Sequence, residues 1–291
     1  MRGGRLVVAG VIVGGLVWGM RTAPRPRPLY DLKPPTPVLA ELGTVHDPRD
    51  CGTVTGRVVW EGPAPAIPLL ELPVSPLLPS RTESIPNPNT LRLQDSRVVG
   101  AVVWLRGVDP ARSRAWDHAP VSVEATELEF VTKQGAERVR TGIVRRGEAV
   151  GLSARDPASY SIRGRGAAFF TDLLYTPERV TSRTLTDEGV VELSSATGAY
   201  WCRSHLLVSD HPYVTRTDER GEFRMEAVPS GTYDLVCWVP NWRIARLERD
   251  PELVVHVRMA FGRDVEKRTT IRVAAGGTAE TEVKMGERDF P

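Results

Sequence analysis

Cysteine is scarce in this chain of 291 residues: Cys51, Cys202 and Cys237 are all there are. An odd number in an exported protein leaves one thiol unpaired, or all three reduced. A Cys202–Cys237 bridge is the pairing to test, since Cys237 otherwise alternates with Leu235 and Val239 as a small apolar core residue. None of the three has a His/Asn context that would make it a nucleophile. There is no Walker loop, no Gly-x-Gly-x-x-Gly strand–helix unit and no long heptad run. No block of one charge sign stands out. The net charge is +2 and Lys and Arg are dispersed, which fits a mixed solvated surface and gives no nucleic-acid footprint. Apolar residues make up 41% of the chain, enough for real cores and too many for wholesale disorder.

The N-terminus has the layout of an export or anchoring segment. Met1-Arg2-Gly3-Gly4-Arg5 is positive, Leu6 to Met20 carries no charge, and Arg21 closes the run. The run is short against the ~20 residues of a full span. It suits an uncleaved signal anchor or transmembrane helix, or a cleaved signal peptide, with a buried cytosolic segment as the remaining reading. Arg2 and Arg5 favour a cytoplasmic N-terminus with the body exported, to the periplasm or cell surface. Residues 22–50 are a Pro-rich linker.

The remainder reads as all-β. Strands are expected at Thr53–Trp60, Val98–Arg106, Val121–Glu124, Glu127–Thr132, Val139–Val144, Ala149–Ser153 and Val190–Ser194. Others follow at Glu222–Met225, Tyr233–Val239, Val254–Met259, Thr269–Val273 and Thr281–Met285. Short strands with Gly/Pro punctuation are the pattern of β-sandwiches. A helix is expected only near Trp242–Arg249. Prolines from Pro63 to Pro88 predict an irregular loop over residues 61–96, apolar enough to lie on a sandwich face. Asp218 to Gly221 and Pro229-Ser230-Gly231 read as turns, with a positive φ expected at Gly231.

Two resemblances follow from these residues. Thr217, Asp218, Gly221 and Phe223, then Val228, Pro229, Gly231, Tyr233 and Leu235, then Gly277, Thr278 and Val283 resemble the carboxypeptidase regulatory-like, transthyretin-type domain. The likeness implies a non-catalytic β-sandwich over residues 201–288, of a shape shared with carbohydrate-binding modules. Gly52-Thr53-Val54-Thr55-Gly56, Trp60-Glu61-Gly62-Pro63, Val102-Val103-Trp104-Leu105-Arg106-Gly107, Asp156-Pro157, Trp201 and Asp210-His211-Pro212-Tyr213 resemble exported cupredoxin-like proteins. That likeness implies a second sandwich over residues 51–200. The copper ligands of that family fall here on Tyr160, Ala196, Ala199 and Cys202, so the resemblance implies a cupredoxin-like unit that has lost its type-1 site.

No metal or other cofactor is therefore expected. Cys202, His205 and His211 are weak candidates for a rescued site, although Cys202 and His205 should face opposite sides of a strand. Ser194-Ser195 lacks a nucleophile-elbow glycine pattern, and Asp117-His118 and Asp210-His211 are adjacent residues that point apart on a strand. No catalytic residues are expected, and the chain reads as no enzyme. Among the aromatics, Trp104, Trp116, Tyr200, Trp201, Trp238 and Trp242 fill cores and the seam between domains, or include a sugar-stacking platform. Trp116 and Trp242 are the expected exposed ligand contacts. The combined expectation is a non-catalytic binding or scaffolding protein of the cell envelope, with a polysaccharide or an envelope protein as partner and the membrane reached through the N-terminal segment. The alternative is a copper-binding or electron-transfer cupredoxin with a non-standard site.

Overall fold

Unbroken apolar runs such as Val102-Val103-Trp104-Leu105 and Leu235-Val236-Cys237-Trp238-Val239 give a strand two greasy faces, and both must be covered. The computed structural model, which describes residues 45–73, 82–177, 179–196, 198–249 and 256–291, covers them by stacking four sheets. Three 3-10 turns are the only helical elements among the described residues. These residues lie within one compact unit, Leu39–Pro291.

One sandwich is built from both ends of this unit and is called terminal below. Its outer sheet holds Cys51–Glu61, Arg92–Gln94, Arg97–Val99, Glu222–Pro229 and Thr278–Gly286. Cys51–Glu61 is its centre, antiparallel to Glu222–Pro229 on one edge and parallel to Thr278–Gly286 on the other. Its inner sheet runs Val214–Arg216, Val102–Arg106, Gly231–Val239, Val265–Val273. Between them lie Val54, Val58 and Phe223 from the outer sheet and Val103, Leu105, Leu235 and Cys237 from the inner one.

The second, central sandwich lies between residues 121 and 209. Its inner sheet holds Thr141–Arg145, Arg203–Ser209, Gly189–Ser194, Tyr160–Gly166 and Phe170–Leu174. Its outer sheet holds Thr181–Thr184, Ala149–Ala154, Val121–Ala125, Phe130–Gln134 and Glu137–Val139. Val123, Leu152, Ile162, Leu193, Leu206 and Val208 fill this core.

The two inner sheets meet back to back. Val102, Trp104, Val214, Val236 and Trp238 from one pack with Ile143 and Leu207 from the other, with Val190 and Trp116 against them. Burial of each such side chain is worth about 1.5–3 kcal/mol. Polar ties cross the same seam. Arg216 donates to Gln134 Oε1 and to the Thr141 carbonyl, both at 2.9 Å.

The all-β sandwich architecture follows the sequence reading, but its division differs. The expected 51–200 segment is split, because the strands between 51 and 106 pair with strands beyond residue 213. The strand expected at Thr53–Trp60 belongs with the C-terminal strands. The helix expected near Trp242–Arg249 is a strand, Ile244–Arg249, paired with His256–Phe261. A pattern with Ile244 and Leu247 three apart imitates a helix, yet both side chains are exposed, and cross-strand hydrogen bonding decides instead. Within the Pro-rich region Leu70–Pro73 pairs with Thr82–Ile85 as a hairpin. Among the described residues no helix is long and apolar enough to cross a membrane. The Leu6–Met20 run and the linker up to residue 44 lie outside them.

Gly221 takes φ +69° in the Asp218–Gly221 turn, as the turn chemistry requires. Gly231 does not adopt the positive φ expected of it. Its requirement is space: a Cβ there would lie 2.8 Å from the Tyr233 hydroxyl and 2.9 Å from Cζ. The Tyr233 ring folds back so that its hydroxyl donates to the Pro229 carbonyl at 2.9 Å. Gly231→Val should therefore destabilise by collision with the ring, and Tyr233→Ala should cost about 3–5 kcal/mol as a large buried truncation. Equilibrium urea unfolding measures both. Unchanged midpoints would show that the Tyr233 ring does not anchor this hairpin.

Candidate functional site

The Pro86-Asn87-Pro88-Asn89 stretch has two residues without a backbone N–H, so its side chains must hold it. Asn87 Nδ2 donates to the Trp242 carbonyl and Asn89 Nδ2 to the Asn241 carbonyl, each at 2.9 Å. From the opposite side Arg140 donates to the Pro88 carbonyl at 2.9 Å and the Thr90 carbonyl at 2.5 Å. The segment thus becomes the rim of a groove of about 720 Å³, within the size range of ligand sites.

The groove draws on both sandwiches. Ile85–Arg92 forms one wall, and Leu128–Phe130 with Arg138–Thr141 forms another. Trp201, Arg203, Ser204 and His205 reach it from the start of a central-sandwich strand, and Val239 and Pro240 from the terminal sandwich. Trp201 is half-buried; its indole N–H donates to the Glu127 carbonyl at 3.2 Å, and its ring stands edge-on to Tyr200 at 5.0 Å. Four arginines line the groove against one carboxylate, Glu129. Arg138 pairs with Glu129, Arg203 with Glu192, and Arg92 with both oxygens of Glu219 at 3.1 Å. Arg203 also donates to the Met259 carbonyl and sits over the Phe261 ring. Burial lowers its pKa, only partly offset by Glu192.

The His205 ring packs at 5.1 Å, edge-on to Trp238 across the seam. Burial, then the Arg203 and Arg140 charges, push its pKa down to about 3.

The expected metal candidates are not brought together. Cys202 lies in the central-sandwich core, whereas His205 faces the seam from the other side of the sheet. Burial raises the Cys202 thiol to about 12, far from the thiolate a metal needs. His211 has both ring nitrogens engaged. Nε2 donates to the Leu105 carbonyl at 2.9 Å and Nδ1 accepts from the Tyr213 amide at 3.2 Å, an assignment that leaves no lone pair free. Among the described residues no group of three or more His, Cys, Asp or Glu side chains is placed to hold a metal ion.

Of the carried-over copper positions, Tyr160, Ala199 and Cys202 share the central core, with the Tyr160 hydroxyl donating to Asp156 at 2.7 Å. The Ala196 amide instead donates to Ser161. All three cysteines are free, and Cys202 and Cys237 lie in different cores, so the candidate bridge does not form.

The expected aromatic contacts also differ. Trp242 is 5% exposed and packs between Arg243 and Phe290 in the terminal core. The Pro240-Asn241-Trp242 segment is covered by the Asn87 and Asn89 rim. Trp116 is half-buried against the seam, with its indole N–H on the His118 carbonyl. The aromatics that do line the groove are Trp201, which the sequence offers both as an anchor of the cupredoxin motif and as one member of the core-or-platform set, and Phe130.

A family model described as polysaccharide lyase family 4, domain II (fn3_3) matches residues 184–281, 98 of the 291 residues. The match begins in the central sandwich and continues into the terminal one. The carboxypeptidase regulatory-like resemblance has no counterpart in this match. No curated protein matches the sequence. Solved structures similar to parts of the chain include a purple cupredoxin from Nitrosopumilus maritimus (13% identity, TM-score 0.25, 31% of this chain and 99% of that one). Amicyanin from Paracoccus versutus is similar at 14% identity and TM-score 0.26, over 37% of this chain and 97% of that one. The copper-containing nitrite reductase of Thermus scotoductus is similar at 14% and 0.26, over 33% and 24%. Likeness at this level carries neither ligand nor activity over to this chain.

The buried His205 gives the seam a pH signature. Between the usual pKa near 6.5 and the folded value of about 3, the unfolded chain binds a proton that the folded chain refuses. Stability is therefore complete above pH ~6.5 and falls on acidification, by up to about 1.4 kcal/mol per pH unit from this residue. His205→Phe should flatten the decline in unfolding free energy between pH 7 and 5 relative to the unmodified chain. An identical slope in both proteins would contradict the assignment.

Proposed function

We propose that this chain is a non-catalytic binding or scaffolding protein of the cell envelope whose ligand is a carbohydrate. One observation carries the reading: the groove at the seam joins a fixed indole, Trp201, and apolar walls to several side-chain donors. Sugars need that combination, with ring faces laid on aromatics and hydroxyls on charged or polar side chains. The partial match to a polysaccharide lyase domain that is not the catalytic one supports the same class. The export layout of Met1 to Arg21 supports the location.

Groove side chains fit binding better than chemistry. Three of its arginines are tied to carboxylates, and the His205 imidazole, held neutral near pH 7 by burial, has a pKa too low for a proton shuttle there.

The test is retention of the full chain on immobilised polysaccharides and a glycan array, with fractionation of expressing cells alongside. Trp201→Ala should keep the melting temperature within a few degrees and weaken retention about 2- to 10-fold, the scale of one aromatic contact. Absence of retention on every polysaccharide would remove the carbohydrate reading. Recovery of the full chain in the cytosolic fraction would remove the envelope location.

A further inference from the structure

We propose that this chain pairs with a second copy of itself through the edge strand Phe170–Leu174 of the central sandwich.

That strand ends the inner sheet of the central sandwich and is hydrogen-bonded on one side to Tyr160–Gly166. Among the described residues no strand pairs with its other side. The two-residue period sorts its side chains. Asp172 and Leu174 are buried, and the Phe170 ring fills the space beside Gly164 with Arg183 over it. Phe169, Thr171, Leu173 and Tyr175 alternate with these and are all exposed: Phe169 by 83%, Leu173 by 53% and Tyr175 by 55%.

Natural sheets blunt such edges with charge, proline or a bulge. The long edge strands of the terminal sandwich do so. Glu222–Pro229 exposes Glu222, Arg224 and Glu226, and Thr278–Gly286 exposes Glu280, Glu282 and Lys284. Phe170–Leu174 uses none of these devices. Its exposed face carries no charge, it contains no proline, and its register against Tyr160–Gly166 runs without a shift.

The occupant must supply a strand, because an open row of N–H and C=O groups needs partners that lipid chains do not have. The chemistry of the edge then selects the same edge on a second copy. A two-fold axis lays two such strands antiparallel, with each apolar row against its own copy. Asp172, the one charge within the strand, is already matched by two hydrogen bonds from Arg183, so two edges meet without unbalanced like charge. A strand with the usual outward charges would instead bury them against Phe169, Leu173 and Tyr175. Such a contact is well under the ~1,600 Å² of a standard interface, so the expected dissociation constant is modest, about 1–100 µM.

Every described strand and core residue lies beyond residue 50. Residues 39–291 therefore keep the fold without the apolar N-terminal run, which a single cooperative melt checks. Sedimentation equilibrium of this unit from about 1 to 300 µM should show monomer and dimer in exchange. Leu173→Lys sets two ammonium groups against each other across the two-fold axis and should weaken the dimer at least about tenfold. Phe169→Ser, outside the strand, should weaken it too. Val180→Lys removes an exposed apolar side chain that lies over the other sheet beside Gly151 and should leave the dimer unchanged. All three variants should melt within a few degrees of the unmodified unit.

A monomer at every concentration overturns the proposal, as does an unchanged dimer in a folded Leu173→Lys or Phe169→Ser. Equal weakening by Val180→Lys would mark unspecific apolar association and overturns it as well. Binding of a monomeric unit to phosphatidylcholine vesicles, lost in Leu173→Lys, would assign the face to lipid and overturn it.

Discussion

Everything in this molecule leans on the back-to-back contact of two inner sheets. Trp104, Val236 and Trp238 on one side and Ile143 and Leu207 on the other bury what would be the wet outer faces of two ordinary sandwiches. Strands such as Val102–Arg106 and Gly231–Val239 are consequently covered on both faces, and their sequences lose the alternation of a half-buried strand. Outer strands such as Val121–Ala125 and Glu222–Pro229 keep it. Glu222–Pro229 runs exposed, buried, exposed, buried through Glu222, Phe223, Arg224 and Met225. Continuous apolar runs thus mark the two strands covered at the seam, Val102–Arg106 and Gly231–Val239.

The same seam sets the chemistry of the groove. Strands of both sandwiches end there, so side chains distant in sequence converge: Asn87 and Thr90 from the Pro-rich segment, Arg138 and Arg140 from one hairpin, Trp201 to His205 from the central sandwich. His205 is the link between stability and site. Its ring packs on Trp238 across the seam while its neutral state is reinforced by the groove arginines. The Pro-rich rim stays in place without regular secondary structure because two asparagine amides replace the missing ladder donors. Such rims carry few local constraints of their own, and their position depends on the surfaces they bridge.

Buried groups that might suggest metal chemistry are absorbed by packing instead. His211 spends both nitrogens joining the 209–213 turn to the Val102–Arg106 strand. Cys202 and Cys237 each behave as a small apolar residue in a separate core, with thiol pKa values raised by burial. Of the positions carried over from the cupredoxin resemblance, Tyr160, Ala199 and Cys202 lie in or against the central core.

By itself the sequence determined the all-β class, most strand positions, the Asp218–Gly221 turn and the opposite facing of Cys202 and His205. These are local properties, written in two-residue periodicity, turn residues and near neighbours. It did not determine that Cys51–Glu61 joins strands more than 160 residues away, since strand pairing leaves no mark in either partner alone. It misread Ile244–Arg249, where cross-strand bonding overrides a helix-like spacing, and Gly231, where a ring's bulk and not a backbone angle sets the requirement. Trp242 was legible as an aromatic in a turn, but only the tertiary structure lays the Asn87–Asn89 rim over it and buries it. For the same reason the groove, with Trp201 and its arginines, exists only once the two sandwiches have docked: burial belongs to neighbours in space, and a linear sequence does not name them.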